Sequence, residues 1–236
     1  WAFHIPLQAV GHHRDDILQI EAIFMGQAGL LELNTIPERY QKDALNDGYF
    51  AKLRNEYKYL AHKFNLKPMD YRLWRFLRLR PQNFPHIRIS QMAHLYYQRK
   101  AGLSQLVEAA SVEDAKKVLA TAVTPYWETH YTFGSTSVRN DKNLSPFSLN
   151  LLCINTVVPI LFAYGRHRGE EKYCDRAFDF LEQLRPENNY IIRLWQQCGL
   201  VVDNAGDSQA LIQLKKEYCD KKECLRCRFG YEYLKL

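Results

Sequence analysis

Apolar residues recur at intervals of three and four along nearly the whole 236-residue chain, the spacing of one face of an α-helix. Ile17, Ile20, Phe24, Ala28 and Leu31 form one such stripe, with Asp15 or Asp16 placed to start the helix. Phe50, Leu53, Tyr57, Leu60 and Phe64 share a side of Tyr49–Phe64. Leu73, Phe76 and Leu77 form a short amphipathic turn before Pro81, and Pro85 opens a helix carrying Ile89, Met92 and Leu95. Ser111 and Asp114 have the spacing of a capping box. Further helices are predicted over Phe147–Tyr164, kinked near Pro159, over Tyr173–Leu184, and over Tyr190–Gln197 with a stop at Gly199. Asp207 caps a last helix running towards Cys219. Strand-like alternation is confined to the vicinity of Val201, and Gly134–Pro146 is the longest polar stretch, hence the candidate mobile loop. The expected fold is all-α, a multi-helix orthogonal bundle with a short cysteine-bearing C-terminal cap. It is read as one domain over residues 1–236, divisible at 1–124 and 125–236, with the cap at 207–236.

A chain of this length buries enough core to fold without a metal or disulfide. Six cysteines with no export signal point to reduced thiols and a cytoplasmic location. The most apolar run, Leu149 to Tyr164, is interrupted by Asn150, Asn155, Thr156 and Pro159 and falls short of a membrane span, so it is read as a buried helix and no membrane partner is expected. The net charge of +6 permits an anionic partner. The chain begins with Trp1, which reads as a segment of a longer protein.

Three of the cysteines, Cys219, Cys224 and Cys227, fall in Y-C-D-K-K-E-C-L-R-C-R-F-G, with four and then two residues between them. Such spacing bends thiols back onto one metal ion. A structural zinc needs four ligands, and Cys198 is the nearest candidate for the fourth. The spacing also matches part of a plant-type iron–sulfur pattern, although no cysteine follows Cys227. The plainer alternative is three reduced thiols in a small cap. Cys153 and Cys174 lie among apolar neighbours and read as core residues, Cys174 on a face with Ala177, Phe178 and Leu181.

The segment Arg72 to Arg88 holds Arg72, Arg75, Arg78, Arg80 and Arg88, interleaved with Trp74, Phe76 and Phe84. On a helix, Arg72, Arg75 and Arg78 form a stripe able to track phosphates, with the aromatics free to stack on bases. The alternative is a solvated face, with Arg80 and Arg88 bonded to helix ends and buried carboxylates. Gly26 and Gly29 would let another helix approach closely. Glu21, set among apolar neighbours, needs a cation if buried, and an arginine of the 72–88 segment is the natural partner. His130 beside Glu128 reads as packing with a polar tip, and His12 and His13 as a solvated turn. No phosphate-binding glycine loop or nucleophile elbow is present.

The stretches E-A-I-F-M-G-Q-A-G-L-L, L-R-P-Q-N-F-P-H-I-R, Y-W-E-T-H-Y, I-N-T-V-V-P-I-L-F-A-Y and S-Q-A-L-I-Q-L-K-K-E-Y-C…C-L-R-C-R-F-G resemble the C-terminal half of a bacterial family known as domain of unknown function 2851. The resemblance implies an N-terminal half before Trp1 and a cysteine pattern on Cys219, Cys224 and Cys227 that leaves out Cys198 and Cys153. It implies no activity. In layout the chain is also similar to nucleases of the PD-(D/E)xK type whose C-terminal cysteines are stapled by an iron–sulfur cluster.

The functional expectation is a non-catalytic helical module. Its cysteine cluster holds zinc, an iron–sulfur cluster or nothing, and its arginine-rich helix contacts nucleic acid or the missing half. Two other classes compete. One is a hydrolase with Glu21, Arg78, Arg80 and Arg88 lining one wall of a shared site, and the other is a protein-interaction scaffold.

Overall fold

The computed structural model describes residues 16–98 and 102–234. In chain order the helices are α1 (Ile17–Gln27), α2 (Glu38–Leu45), α3 (Gly48–Phe64), α4 (Pro85–Tyr97), α5 (Leu103–Glu108), α6 (Val112–Leu119) and α7 (Pro125–Glu128). A hairpin of β1 (His130–Thr132) and β2 (Ser135–Thr136) follows. Then come α8 (Pro146–Leu152), α9 (Val158–Arg168), α10 (Glu171–Gln183), α11 (Tyr190–Gln197), α12 (Ala205–Leu214) and α13 (Arg228–Leu234). The fold is an all-α helical bundle carrying one small antiparallel sheet. His12 and His13 lie outside the described residues.

The chain divides into two compact units that are interleaved along the sequence. The first takes the chain up to Gly102 and then Leu119–Leu144; the second takes Leu103–Val118 and Ser145 onwards.

In the first unit, α1 packs against α3 and α4. Asp16 starts α1 by accepting from the backbone N–H of Leu18 at 2.9 Å. From Ile20 to Gln27 the helix is buried on all sides, which suits its nearly unbroken apolar sequence. Asp47 caps α3, and Asn65 closes it in the left-handed region at φ 51°. The predicted face of α3 is the observed one, with Phe50, Leu53, Tyr57 and Leu60 buried.

The two glycines of this segment behave differently. A Cβ on Gly26 would fall 2.1 Å from the Tyr57 ring, so helix α3 does approach there. Gly29 has φ +69°, and its close neighbour is a loop backbone rather than a helix: a Cβ added there would lie 2.4 Å from the Met69 carbonyl oxygen.

The polar loop from Gly134 to Pro146 is tied down. Lys142 is buried within it and donates through Nζ to the carbonyls of Trp127 and, at 3.0 Å, His130. Its own carbonyl accepts from Gln91 at 2.6 Å.

In the second unit α8, a π-turn over Cys153–Val157 and α9 form one continuous helix, Pro146–Arg168. Pro159 has no N–H for the carbonyl four residues back, and the wide turn just before it absorbs that missing bond. Only one face of this helix is buried, through Cys153, Ile154, Val157, Val158, Leu161 and Gly165, so the expectation of a buried helix holds for that face alone. By length and composition alone it is long and apolar enough to cross a membrane. It packs against α10 across Gly165, where a Cβ would meet the Cys174 sulfur at 2.8 Å. On α10 the buried side chains are Ala177 and Phe180, while Phe178 points outward.

The predicted start of α12 shifts by one turn. Asn204 is the cap, and Asp207 is its partner in a capping box. No strand forms near Val201; the one hairpin of the described residues lies at His130–Thr136.

Candidate functional site

Glu21 is completely buried on α1. Its Oε2 accepts from the Tyr49 hydroxyl at 2.6 Å and the Thr124 hydroxyl at 2.9 Å, and its Oε1 accepts from the Trp127 indole N–H. These three neutral donors replace the arginine expected from the 72–88 segment. Burial pushes the carboxyl above its ordinary range, and the donors only partly offset this. Tyr49 is held protonated far above its usual value by burial and by the neighbouring Glu21. A carboxyl group whose oxygens are both occupied by neutral donors, deep in a helical core, acts as an internal staple between α1, α3 and α7.

His86 lies against the Trp127 ring, stacked obliquely at 5.6 Å between centroids. It is fully buried, and among the described residues neither ring nitrogen has a hydrogen-bond partner. Burial depresses its pKa to about 3, so it stays neutral among Phe76, Trp127 and Phe133. His130 stacks face to face on Tyr126 at 4.0 Å with Nδ1 against the Tyr126 carbonyl, which agrees with a packing role.

The arginine segment is not a helix. Asp70 caps a single 3-10 turn, Tyr71–Leu73, and holds Arg72 in a bidentate pair with Nη2 at 2.6 Å. From Trp74 to Arg80 the chain is irregular. Two aromatics root it in the core: Trp74 donates its indole N–H to the Ala28 carbonyl at 2.7 Å, and Phe76 packs edge-on to Phe84 and against His86. Both rings are partly buried against the core of the first unit. Between these roots and Pro81 the chain makes a tight turn, closed by the Leu79 N–H on the Phe76 carbonyl at 3.2 Å. Its third residue, Arg78, has φ 65°, the position a type II turn reserves for glycine. A non-glycine residue there marks local strain of the kind that collects at functional sites.

What this loop exposes is specific. Leu77 at the tip is 85% exposed, with Leu73 at 59% and Leu79 at 40%. Arg75, Arg78 and Arg80 are exposed, and their guanidinium groups have no ion pair or hydrogen bond among the described residues. Arg88 is separate: half-buried on α4, it donates to Gln91 at 2.8 Å and Asn83 at 2.6 Å, amides rather than the expected carboxylates. Glu21 is thus in a core staple, Arg88 in an amide network, and Arg78 and Arg80 on the surface. A helical reading of the segment misses the three exposed leucines. The signal for Leu77 and Leu79 is the Leu-Arg-Leu-Arg alternation of residues 77–80, which lacks the three-to-four spacing of a helix face.

The C-terminal cysteines sit on a coiled-back tail. A π-turn over Lys215–Cys219 ends α12, and Lys222 turns the chain at φ 57°. The Glu223 N–H bonds the Tyr218 carbonyl at 2.9 Å, and the Cys227 N–H bonds the carbonyls of Glu223 and Cys224. Gly230 of α13 rests on the Cys224 carbonyl, 2.3 Å from where a Cβ would be. Cys227 is buried, while Cys198, Cys219 and Cys224 are exposed. Burial and the neighbouring Cys227 and Cys224 raise the Cys219 thiol. Among the described residues no group of three or more His, Cys, Asp and Glu side chains is arranged to hold a metal ion. Cys153 is a buried core thiol, pushed up to about 11, and Cys174 donates weakly to the Phe162 carbonyl.

A family described as a protein of unknown function, DUF2851, matches residues 1–190. The chain belongs to the DUF2851 family. The match takes in the Glu21 staple and the arginine loop and stops before Cys198 and the tail cysteines. No curated protein and no solved structure matches the chain.

Proposed function

We propose that this DUF2851 member is a non-catalytic helical binding module that holds a phosphate-bearing partner on the loop from Trp74 to Arg80. The observation that carries the reading is the set of three exposed arginines, Arg75, Arg78 and Arg80, with no counter-charge among the described residues, on a loop rooted by Trp74 and Phe76. An unpaired guanidinium is a fork of donors matched to phosphate oxygens. Holding three of them on a rooted loop lowers the entropy lost when a partner docks. The non-catalytic part of the proposal is supported by Glu21, whose carboxyl is enclosed and already satisfied.

Short duplex DNA serves as a generic polyphosphate probe. Three phosphate contacts give a log–log dependence of affinity on salt with a slope of about −2.7, and Arg75→Ala lowers its magnitude by about one. Absence of binding at low salt would overturn the proposal. So would binding that Arg75→Ala, Arg78→Ala and Arg80→Ala together leave unchanged.

A further inference from the structure

The loop carries more than charge. Resting on the phosphate-binding reading above, we infer that the partner of this loop is an anionic lipid surface, with Leu77 as the inserted side chain and Arg75, Arg78 and Arg80 on the headgroup phosphates.

A partner must satisfy both kinds of side chain. Leucines and arginines alternate from Leu77 to Arg80, and Leu77 projects from the corner of a tight turn almost wholly exposed. A nucleic-acid backbone offers the arginines phosphates but gives the leucines no apolar surface. The aromatics that would stack on bases are half-buried and engaged by the core, Trp74 on the Ala28 carbonyl and Phe76 on Phe84, whereas the leucines are the exposed apolar groups. At a lipid interface both needs are met within a few ångströms of depth: phosphates at the headgroup level and acyl chain just below it.

The turn geometry serves the same end. The positive φ of Arg78 sets Leu77 at the apex, where an unstrained turn would carry glycine after it. Trp74 and Phe76 anchor the base of the loop, so the leucine is presented at reduced ordering cost. A surface-docking loop needs no membrane-spanning segment, so the lack of a long uninterrupted apolar run at this site is no obstacle to it.

The test uses the full chain and two kinds of vesicle, phosphatidylcholine alone and phosphatidylcholine mixed with phosphatidylglycerol, with short duplex DNA as the soluble polyanion. Leu77 is exposed, so Leu77→Ala leaves the fold intact, and the melting curve verifies this. The expected result is co-flotation with the phosphatidylglycerol vesicles only. Leu77→Ala weakens that binding roughly fiftyfold, from the three apolar carbons no longer buried in the interface, and leaves DNA affinity unchanged. The combined Arg75→Ala, Arg78→Ala and Arg80→Ala variant loses both. DNA binding without vesicle binding would overturn the lipid inference and leave the phosphate-binding reading standing. Loss of both in the wild type would end both. Vesicle binding indifferent to Leu77→Ala, or equal on neutral vesicles, would place the contact elsewhere, for instance on the apolar helix Pro146–Arg168, and overturn the inference.

Discussion

Glu21 shows how one residue organises its surroundings. Its carboxyl takes donors from Tyr49 on α3, from Thr124 just before α7 and from Trp127 on α7, so three chain segments meet at two oxygen atoms. Glu21→Ala would strip the carboxylate acceptor from three buried donors beside a cavity, only Tyr49 and Thr124 being able to pair with each other at 3.2 Å, a loss of about 3–5 kcal/mol in chemical denaturation. Glu21→Gln keeps one acceptor oxygen, and its amide can donate to the two hydroxyls, so it costs about 1 kcal/mol or less. The titration has a definite sign. The folded protein keeps this proton at pH values where the unfolded chain, with its carboxyl near 4.5, releases it. The native state then binds more protons, and stability falls as pH rises from 4.5 through the raised folded value. Denaturation curves across that window should show the wild type losing stability relative to Glu21→Gln; parallel curves would mean the carboxyl ionises as freely folded as unfolded.

At the scale of elements, the α1–α3 crossing depends on the missing side chain at Gly26. A methyl group there would overlap the Tyr57 ring, whose hydroxyl accepts from Gln27 at 3.0 Å and so resists swinging aside. Gly26→Ala should cost about 1–3 kcal/mol, read as a lower midpoint in thermal melting. A neutral or stabilising result would mean that α1 gains more in helix propensity than the crossing loses. The stripe of α3 and the cap pair Ser111–Asp114 are legible in the sequence because each is set by neighbours within four residues, whereas on α4 only Ile89 of the predicted Ile89, Met92 and Leu95 is buried. The segment from Arg72 to Arg80 defeats a local reading for the converse reason. Its threefold arginine spacing satisfies a helix pattern, but Trp74 and Phe76 find better burial in the core of the first unit, and serving both in adjacent turns pulls the chain out of a helix.

On the scale of the whole molecule, each unit is assembled from two separate stretches of chain. The second unit needs Leu103–Val118, which supplies buried Leu106, Val107, Val112 and Ala115, and its Val107 carbonyl takes the Arg176 guanidinium at 2.9 Å. A fragment of residues 145–236 lacks all of this. It should melt without a sharp cooperative transition by circular dichroism, and a sharp transition would show that α8 to α13 form a sufficient core alone. The sequence by itself determined the helical class, the buried face of α3, the core role of Cys153 and the family. Those features follow from local periodicity or from a matching order of motifs. Only the tertiary structure decided that Glu21 meets neutral donors, that Lys142 pins a polar loop, and that the arginine segment is a turn with Leu77 at its tip. Each of these depends on groups brought together from distant parts of the chain, and burial energy across such contacts outweighs the local preference that a sequence pattern records.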